Sequence, residues 1–91
     1  MKIDFSGKNV LVTGSSGGIG RAICIAFSEL NARVHLHYNS NKKEAEKTIK
    51  LLHGEDHELY QAELSNPQEA KTMIENINDI DVVVNNAAVV E

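Results

Sequence analysis

Four short runs alternate along this chain with three stretches whose apolar residues recur every three or four positions. The runs, at residues 8–13, 32–38, 57–64 and 80–86, predict strands, and the third of them is the least apolar. The helical spacing predicts one helix over residues 18–30, a second that follows Asn41 and ends near Gly54, and a third that begins at Pro67.

The predicted helices carry local signals of their starts and of their buried sides. Asn41 precedes Glu44 by three residues, as in a capping box, and Pro67 follows Asn66 at a position that suits the first turn of a helix. The buried face of the first helix is expected to comprise Ile19, Ala22, Ile23, Ala26, Phe27 and Leu30.

The β-α-β-α-β-α-β order predicts an α/β fold. Right-handed crossovers fold such an order into a doubly wound parallel sheet, here with the spatial strand order 3-2-1-4. The fourth run, IDVVVNN, is almost continuously apolar, which is typical of a parallel strand covered on both faces. We therefore expect residues 1–91 to form a single segment, the mononucleotide-binding half of a Rossmann-type fold.

Composition narrows the function classes. The 91 residues are 42% hydrophobic and carry a formal net charge of -4 without a cluster of Lys or Arg, so we expect no nucleic-acid partner. No apolar run reaches membrane-spanning length, and the opening residues MKIDFSGK lack the apolar segment of a secretory signal. Cys24 is the only cysteine, so we expect a small packed thiol, no disulfide framework and a reducing, cytoplasmic location.

Four of the six glycines fall within seven residues, in the stretch VTGSSGGIGRA. This loop leaves the first predicted strand and opens the first predicted helix, where unpaired N–H groups and the positive end of the helix dipole suit a pyrophosphate. Close backbone approach and turn conformation account for Gly14, Gly18 and Gly20. Their Gly-x-x-x-Gly-x-Gly spacing differs from both the common G-x-G-x-x-G fingerprint and the P-loop.

Two motifs resemble those of the short-chain dehydrogenase/reductase family. TGSSGGIG, residues 13–20, is similar to that family's cofactor loop T-G-x-x-x-G-I-G, and NNAA, residues 85–88, is similar to its N-N-A-G. The stretch HLHYNSNKKEAEKTIKLL resembles the 3-oxoacyl-(acyl carrier protein) reductase type within the family. The resemblance implies a nicotinamide cofactor and hydride transfer between that cofactor and a carbonyl or alcohol substrate.

The resemblance also implies three groups of cofactor contacts. These are Ser15, Ser16 and Ile19 at the phosphates or ribose, Glu63 and Leu64 beside the adenine, and Asn86 and Ala87 at the adenosine ribose. Two residues depart from the family pattern. Glu63 stands where the family usually has Asp, which puts the adenine contact in question, and Ala88 replaces the usual glycine, which alters packing.

The second predicted strand ends in YNSN, and this ending bears on the choice between NADP and NAD. NAD-specific sites place an acid there to hold the ribose 2′-hydroxyl, whereas in this chain no carboxylate lies between Tyr38 and Glu44. Asn39, Ser40 and Asn41 can donate hydrogen bonds to a 2′-phosphate, and two lysines follow, although a solvated helix start also explains those lysines. Gly17, where many NADP-using relatives carry a basic residue, argues the other way. NADP is favoured and NAD is the second choice.

His35 and His37 alternate on one face of the second predicted strand, as two metal ligands would. No third ligand lies near them in the sequence, and a sheet face under a helix is an ordinary place for a packed histidine. We therefore expect no metal site.

By the resemblance, the family's catalytic serine, tyrosine and lysine follow the second motif, and no matching set occurs before Glu91. We expect the chain to be the cofactor-binding portion of an NAD(P)-dependent oxidoreductase, inactive by itself, whose full-length form is a homo-oligomer. The alternative is a standalone nucleotide-binding or interaction module without catalysis. An apolar fourth strand exposed at the edge of the sheet argues against that alternative, because such an edge invites pairing with another chain.

Overall fold

Seven elements alternate along residues 3–87, which are the residues that the computed structural model describes. They are β1 (Asn9–Val12), α1 (Gly18–Glu29), β2 (Arg33–Tyr38), α2 (Lys42–Lys50), β3 (Glu58–Gln61), α3 (Pro67–Glu75) and β4 (Ile80–Val84). The helix α3 begins at Pro67 as predicted, and each of the other elements falls inside its predicted segment and is shorter at one or both ends. None of the three helices in this range is long and apolar enough to cross a membrane.

The four strands form one parallel sheet in the spatial order β3-β2-β1-β4. In the register, Val10 of β1 pairs with Val34 of β2 and with Val82 of β4, and Leu36 of β2 pairs with Leu59 of β3. The predicted strand order and fold class are therefore confirmed. Because all four strands run the same way, the loops that follow them meet at one edge of the sheet, which is where a doubly wound fold binds ligands.

The sheet divides the apolar core into two layers, because successive side chains of a strand point to opposite faces. On one face, Val10, Val12, Val34 and Leu36 are completely buried and pack with Cys24 of α1. On the other face the buried cluster comprises Leu11 of β1, Ala62 after β3, Met73 of α3 and Ile77, which follows α3. The central strands β1 and β2 are thus covered on both sides.

The buried face of α1 differs from the predicted one. Ile19 is 72% exposed, and Ala22 and Ala26 are exposed as well. The buried residues are Gly20, Cys24 and Ser28. This stripe of small residues, four positions apart, lets the helix lie close against the sheet. Ile23 and Phe27 of the predicted face do pack on the core, so the prediction is correct for these two residues and wrong for Ile19, Ala22 and Ala26.

Cys24, within that stripe, is fully buried, as predicted for a packed thiol. Burial raises the pKa of its thiol to about 12, which keeps the sulfur protonated and unreactive at neutral pH.

The strand β4 lies at the edge of the sheet, next to β1. Val82 and Val84 are half-buried and pack on the core, whereas Val83 is 56% exposed on the opposite face. The apolar pattern is typical of a strand covered on both faces, but among the described residues β4 is an edge strand with one face exposed, as expected for an apolar fourth strand at the edge of the sheet.

Asparagine side chains cap the N-termini of α2 and α3. Asn41 Oδ1 accepts a hydrogen bond from the backbone N–H of Glu44 at 3.4 Å, and Asn66 Oδ1 accepts from those of Gln68 and Glu69 at 3.0 and 3.3 Å. Both caps were predicted from the sequence. Only the first half of the capping box forms at Asn41, because the Glu44 carboxylate bonds instead to side chains of α1 and α2.

Candidate cofactor site

The hydroxyl of Thr13 joins the two sequence motifs at the carboxyl edge of the sheet. Its oxygen accepts hydrogen bonds from the backbone N–H groups of Asn86 and Ala87, at 2.9 and 3.0 Å. In return, Asn86 Nδ2 donates to the carbonyl of Gly14 at 3.1 Å. Residues more than 70 positions apart therefore form one surface. Ala88, the fourth residue of the second motif, lies outside the described residues.

Two glycines of the loop are required by the chain's own packing. Gly14 has a φ of +66°, and a Cβ there would lie 3.1 Å from the Cα of Ala87. A Cβ on Gly20 would collide with the Gly14 carbonyl oxygen and lie 2.9 Å from Asn86 Nδ2. Close approach explains both glycines, as the sequence indicated, but the group that approaches is the second motif and the loop itself.

Gly17 and Gly18 leave an open surface over the start of α1. Gly18 has a φ of +56°, and no described atom lies within 4 Å of a Cβ placed on either glycine. Gly17 is the N-cap residue, and no side chain among residues 3–87 caps the helix there. The first N–H groups of α1 and the positive end of its dipole therefore face this open surface, beside the exposed side chain of Ile19. Such a surface suits an anion.

Ser15 lies beneath that surface. Its side chain is completely buried, and its hydroxyl donates a hydrogen bond to the carbonyl of His37 at 2.6 Å. Its own carbonyl accepts a hydrogen bond from the hydroxyl of Thr48 at 2.9 Å. In this arrangement Ser15 fastens the loop to β2 and α2. The direct contact with phosphate or ribose that the resemblance implies for Ser15 stays a prediction, as does that of the half-buried Ser16.

The ring of His37 supports the loop from within the sheet. It is 2% exposed, and its Nδ1 accepts a hydrogen bond from the backbone N–H of Gly14 at 3.0 Å. Nδ1 therefore carries no proton, and Nε2 donates to the carbonyl of Ala62 at 2.8 Å. The sequence predicts a packed histidine at this position and no metal site. Strand alternation predicted its face, but it could not predict its bond to the loop.

His35, two residues earlier, makes a separate set of contacts. Its ring nitrogens lie 2.9 Å from the Tyr60 hydroxyl and 3.0 Å from Asn9 Oδ1. Burial lowers the pKa of His35, and the nearby charge of Arg33 lowers it further. Among residues 3–87, no group of three or more His, Cys, Asp and Glu side chains is placed to hold a metal ion.

An arginine that the sequence did not single out links the loop to α2. Arg21 Nε donates to the Thr48 hydroxyl at 2.9 Å, and its Nη2 lies 2.9 Å from a carboxylate oxygen of Glu44 and 3.3 Å from the carbonyl of Ser16. Hydrogen bonds from Lys47 and then from Arg21 hold the pKa of Glu44 below its ordinary value. Both oxygens of the Glu44 carboxylate are thus engaged, one by Arg21 of α1 and the other by Lys47 of α2.

The residues expected at the adenosine end lie where β2 and β3 end. Asn39, Ser40 and Asn41 are exposed, and Asn39 Nδ2 donates to a carboxylate oxygen of Glu63 at 3.1 Å. The other oxygen of Glu63 accepts from the hydroxyl of Ser65 at 2.8 Å. These bonds, first those from Ser65 and then that from Asn39, lower the pKa of Glu63. A carboxylate therefore stands beside the end of β2, although the sequence of that strand contains none.

The structure brings the predicted site residues to one edge of the sheet. Leu64 is half-buried against the cluster around Leu11, and Asn41 is engaged as a helix cap. A cavity of about 470 Å³ opens elsewhere, between β3 and α3, and it is lined among others by Tyr60, Gln61 and Thr72. None of its lining residues belongs to the predicted site, so this cavity is separate from the glycine loop.

Comparisons with known proteins show the family to which the chain belongs. The family described as short chain dehydrogenase matches residues 8–91. The chain is 37% identical, over 90 residues, to the 3-oxoacyl-[acyl-carrier-protein] reductase FabG of Rickettsia typhi, and the match covers 96% of this chain and 35% of the relative. It is 31% identical, over 93 residues, to the L-rhamnose 1-dehydrogenase (NADP(+)) of Thermoplasma acidophilum, with 96% and 37% covered.

Solved structures show the same fold. The promiscuous reductase LugOII, which catalyses a keto-reduction in lugdunomycin biosynthesis, superposes with a TM-score of 0.84 at 35% identity, covering 98% of this chain and 41% of that one. BdcA in complex with NADPH superposes with a TM-score of 0.83 at 26% identity, covering 93% and 34%. The chain spans about a third of the length of the curated relatives described above. It belongs to the short-chain dehydrogenase family.

Proposed function

We propose that this member of the short-chain dehydrogenase family forms the dinucleotide-binding part of an oxidoreductase that uses NADP in preference to NAD. The observation that carries the proposal is the junction at Thr13, whose hydroxyl holds the second motif against the glycine loop. This junction produces one continuous surface beside the uncapped start of α1. The named reductases and dehydrogenases among the relatives support the same reading.

In the proposed complex the pyrophosphate lies on the open surface over Gly17 and Gly18. The N–H groups at the start of α1 donate to the phosphate oxygens, and the helix dipole favours their negative charge. The exposed side chain of Ile19 shields the phosphates from water on one side. Asn86 and Ala87 are held by Thr13 and line the adjoining ribose.

A phosphorylated ribose fits the end of β2 better than an unphosphorylated one. Asn39 and Ser40 are exposed there and carry side-chain hydrogen-bond donors, of which the amide of Asn39 is shared with Glu63. Lys42 and Lys43 follow at the start of α2. Glu44, the first carboxylate of that helix, is turned toward Arg21 and Lys47. Two of the similar proteins are named for NADP(+) or were solved with NADPH, which supports the same choice.

The nicotinamide cofactor supplies the hydride in such a reaction, and a carbonyl or alcohol compound is its substrate. The residues described here position the dinucleotide and do not touch the reacting atoms. We infer that the proton-transfer groups lie outside residues 3–87, and that this segment alone shows no turnover.

Substitution of Gly17 tests the proposal, because the position has an extended φ of 177° that any residue can adopt. Asp is a good N-cap, so Gly17→Asp should fold, yet its charge competes with a pyrophosphate. We expect it to weaken NADPH binding roughly tenfold or more, and the neutral Gly17→Asn about threefold at most. Dissociation constants from isothermal titration calorimetry decide this. Equal effects of the two variants, or no binding by the wild type, would refute the proposal.

The choice of NADP is tested at Asn39. Replacing Asn39 with Asp places a carboxylate where a 2′-phosphate is proposed to bind. We expect the wild type to bind NADPH more tightly than NADH and Asn39→Asp to reverse that order. An unchanged preference would overturn the role proposed for Asn39.

A further inference from the structure

Glu63 reaches across the gap between two strand ends. It follows β3, and β3 pairs with β2 through His37 and Tyr60 and through Tyr38 and Gln61. This register places Glu63 beside Asn39, with 3.1 Å between the Glu63 carboxylate and Asn39 Nδ2. The carbonyl of Asn39 also accepts a hydrogen bond from the side chain of Gln61 at 2.8 Å. The side-chain Nδ2 and the backbone carbonyl of Asn39 are therefore both engaged by residues at the end of β3.

We propose that Glu63 is a specificity-determining residue, which limits the preference for NADPH over NADH. The inference rests on the proposed function, since it concerns the same dinucleotide site. Its carboxylate holds the amide donor of Asn39 and carries a negative charge next to the place assigned to the 2′-phosphate. A phosphorylated ribose must compete with Glu63 for that donor and approach its charge, whereas a ribose 2′-hydroxyl meets no charge repulsion.

The charge of Glu63 is fixed by its neighbours. One carboxylate oxygen accepts hydrogen bonds from the Ser65 hydroxyl at 2.8 Å and the Ser65 N–H at 3.3 Å. The backbone N–H of Glu63 is in turn held by the Glu69 side chain at 3.1 Å. These contacts orient the carboxylate toward Asn39 in its ionised form.

The ratio of the two affinities isolates this effect. Any contact that Glu63 makes with the adenine is common to NADPH and NADH, so it cancels when their dissociation constants are divided. Repulsion between two unit charges a few ångströms apart that are largely surrounded by water corresponds to a change of about threefold to tenfold in affinity. We therefore expect removal of the Glu63 charge to raise the NADPH preference by about that factor.

The test compares Glu63→Gln with Glu58→Gln, which removes the same charge at the opposite end of β3. Glu58 pairs with Arg33 and lies outside the proposed site. Dissociation constants for NADPH and NADH are measured for the wild type and both variants at low and high salt. We expect the preference to rise about threefold to tenfold in Glu63→Gln alone, and the gain to shrink in high salt because the effect is electrostatic.

The outcomes separate this inference from the proposed function. If the wild type binds neither cofactor, the proposed function itself is wrong. If it binds both and the ratio in Glu63→Gln equals that of the wild type, the specificity role of Glu63 is overturned. An equal rise in Glu58→Gln would also overturn it, because a general change in net charge would then account for the result.

Discussion

The backbone N–H of Gly14 donates a hydrogen bond to Nδ1 of His37 at 3.0 Å, across 23 residues of sequence. The same histidine accepts at its carbonyl from the N–H and the hydroxyl of Ser15, at 2.9 and 2.6 Å. Through these bonds the end of β2 fixes the first half of the glycine loop in the free protein. The second half, over Gly17 and Gly18, is left open. The first half of the loop therefore has a structural role, and the second half is the part that a ligand can reach.

Removal of the His37 ring nitrogens should destabilise the fold. His37→Leu leaves the Gly14 N–H and the buried Ala62 carbonyl without their partners, and we expect a loss of about 1–3 kcal/mol in the free energy of unfolding. His37→Asn should recover part of that loss, since the Asn side-chain oxygen can take the place of Nδ1. Urea denaturation measures both, with His53→Leu as an exposed control. A His37→Leu variant as stable as the control would contradict this prediction.

The glycines of the loop should differ sharply in their tolerance of a methyl group. Gly20→Ala forces a Cβ against the Gly14 carbonyl, and we expect it to cost roughly 1–3 kcal/mol of stability. Gly17→Ala has an extended φ and open space around the new methyl group, so it should change stability by less than about 1 kcal/mol. Thermal unfolding of the two variants in parallel tests the contrast. Similar losses in both would show that the loop packs differently.

The free energy of unfolding should decrease as the pH is lowered below neutrality, and His35 should contribute to this decrease. Its folded pKa lies below the ordinary value of 6.5 because the ring is buried, so the unfolded chain binds a proton there first. The contribution is present above pH 6.5 and is lost as the pH falls through the folded pKa. We expect His35→Gln to flatten the dependence of the unfolding free energy on pH in this window. The acids with lowered pKa values, such as Glu44 and Glu63, change the stability only as the pH falls below about 4.5, the ordinary pKa of a Glu side chain. A slope unchanged in the variant would rule out His35 as a source.

The alternation of elements and right-handed crossovers made the parallel sheet predictable, and the order 3-2-1-4 is the one of the Rossmann-type fold to which the glycine loop belongs. The contacts of His37 were not predictable, since alternation predicts which face a residue occupies and not which loop folds onto it. The same limit applies to Glu63 and Asn39. Sequence reasoning looked for an acid at the end of β2, whereas the register between β2 and β3 brings one from the next strand.

The face of α1 shows a different limit. Spacing of apolar residues favoured Ile19 and Ala22, but close packing against the sheet required the small residues Gly20 and Cys24. Small residues on the buried face of a helix allow its backbone to lie close to the sheet. The spacing of apolar residues does not detect such a face. Thr13 belongs to the first sequence motif, but its hydrogen bonds to the second motif form only because β4 lies beside β1.

Titration of the isotopically labelled chain with NADPH, followed by amide chemical shifts, tests most directly whether the two motifs form one dinucleotide site. The largest shifts should appear at Gly18, Ile19 and Gly20 at the start of α1 and, at the same ligand concentration, at Asn86 and Ala87. Such joint saturation would support a single site built on Thr13. Shifts confined to the cavity between β3 and α3, or no shifts at all, would contradict it.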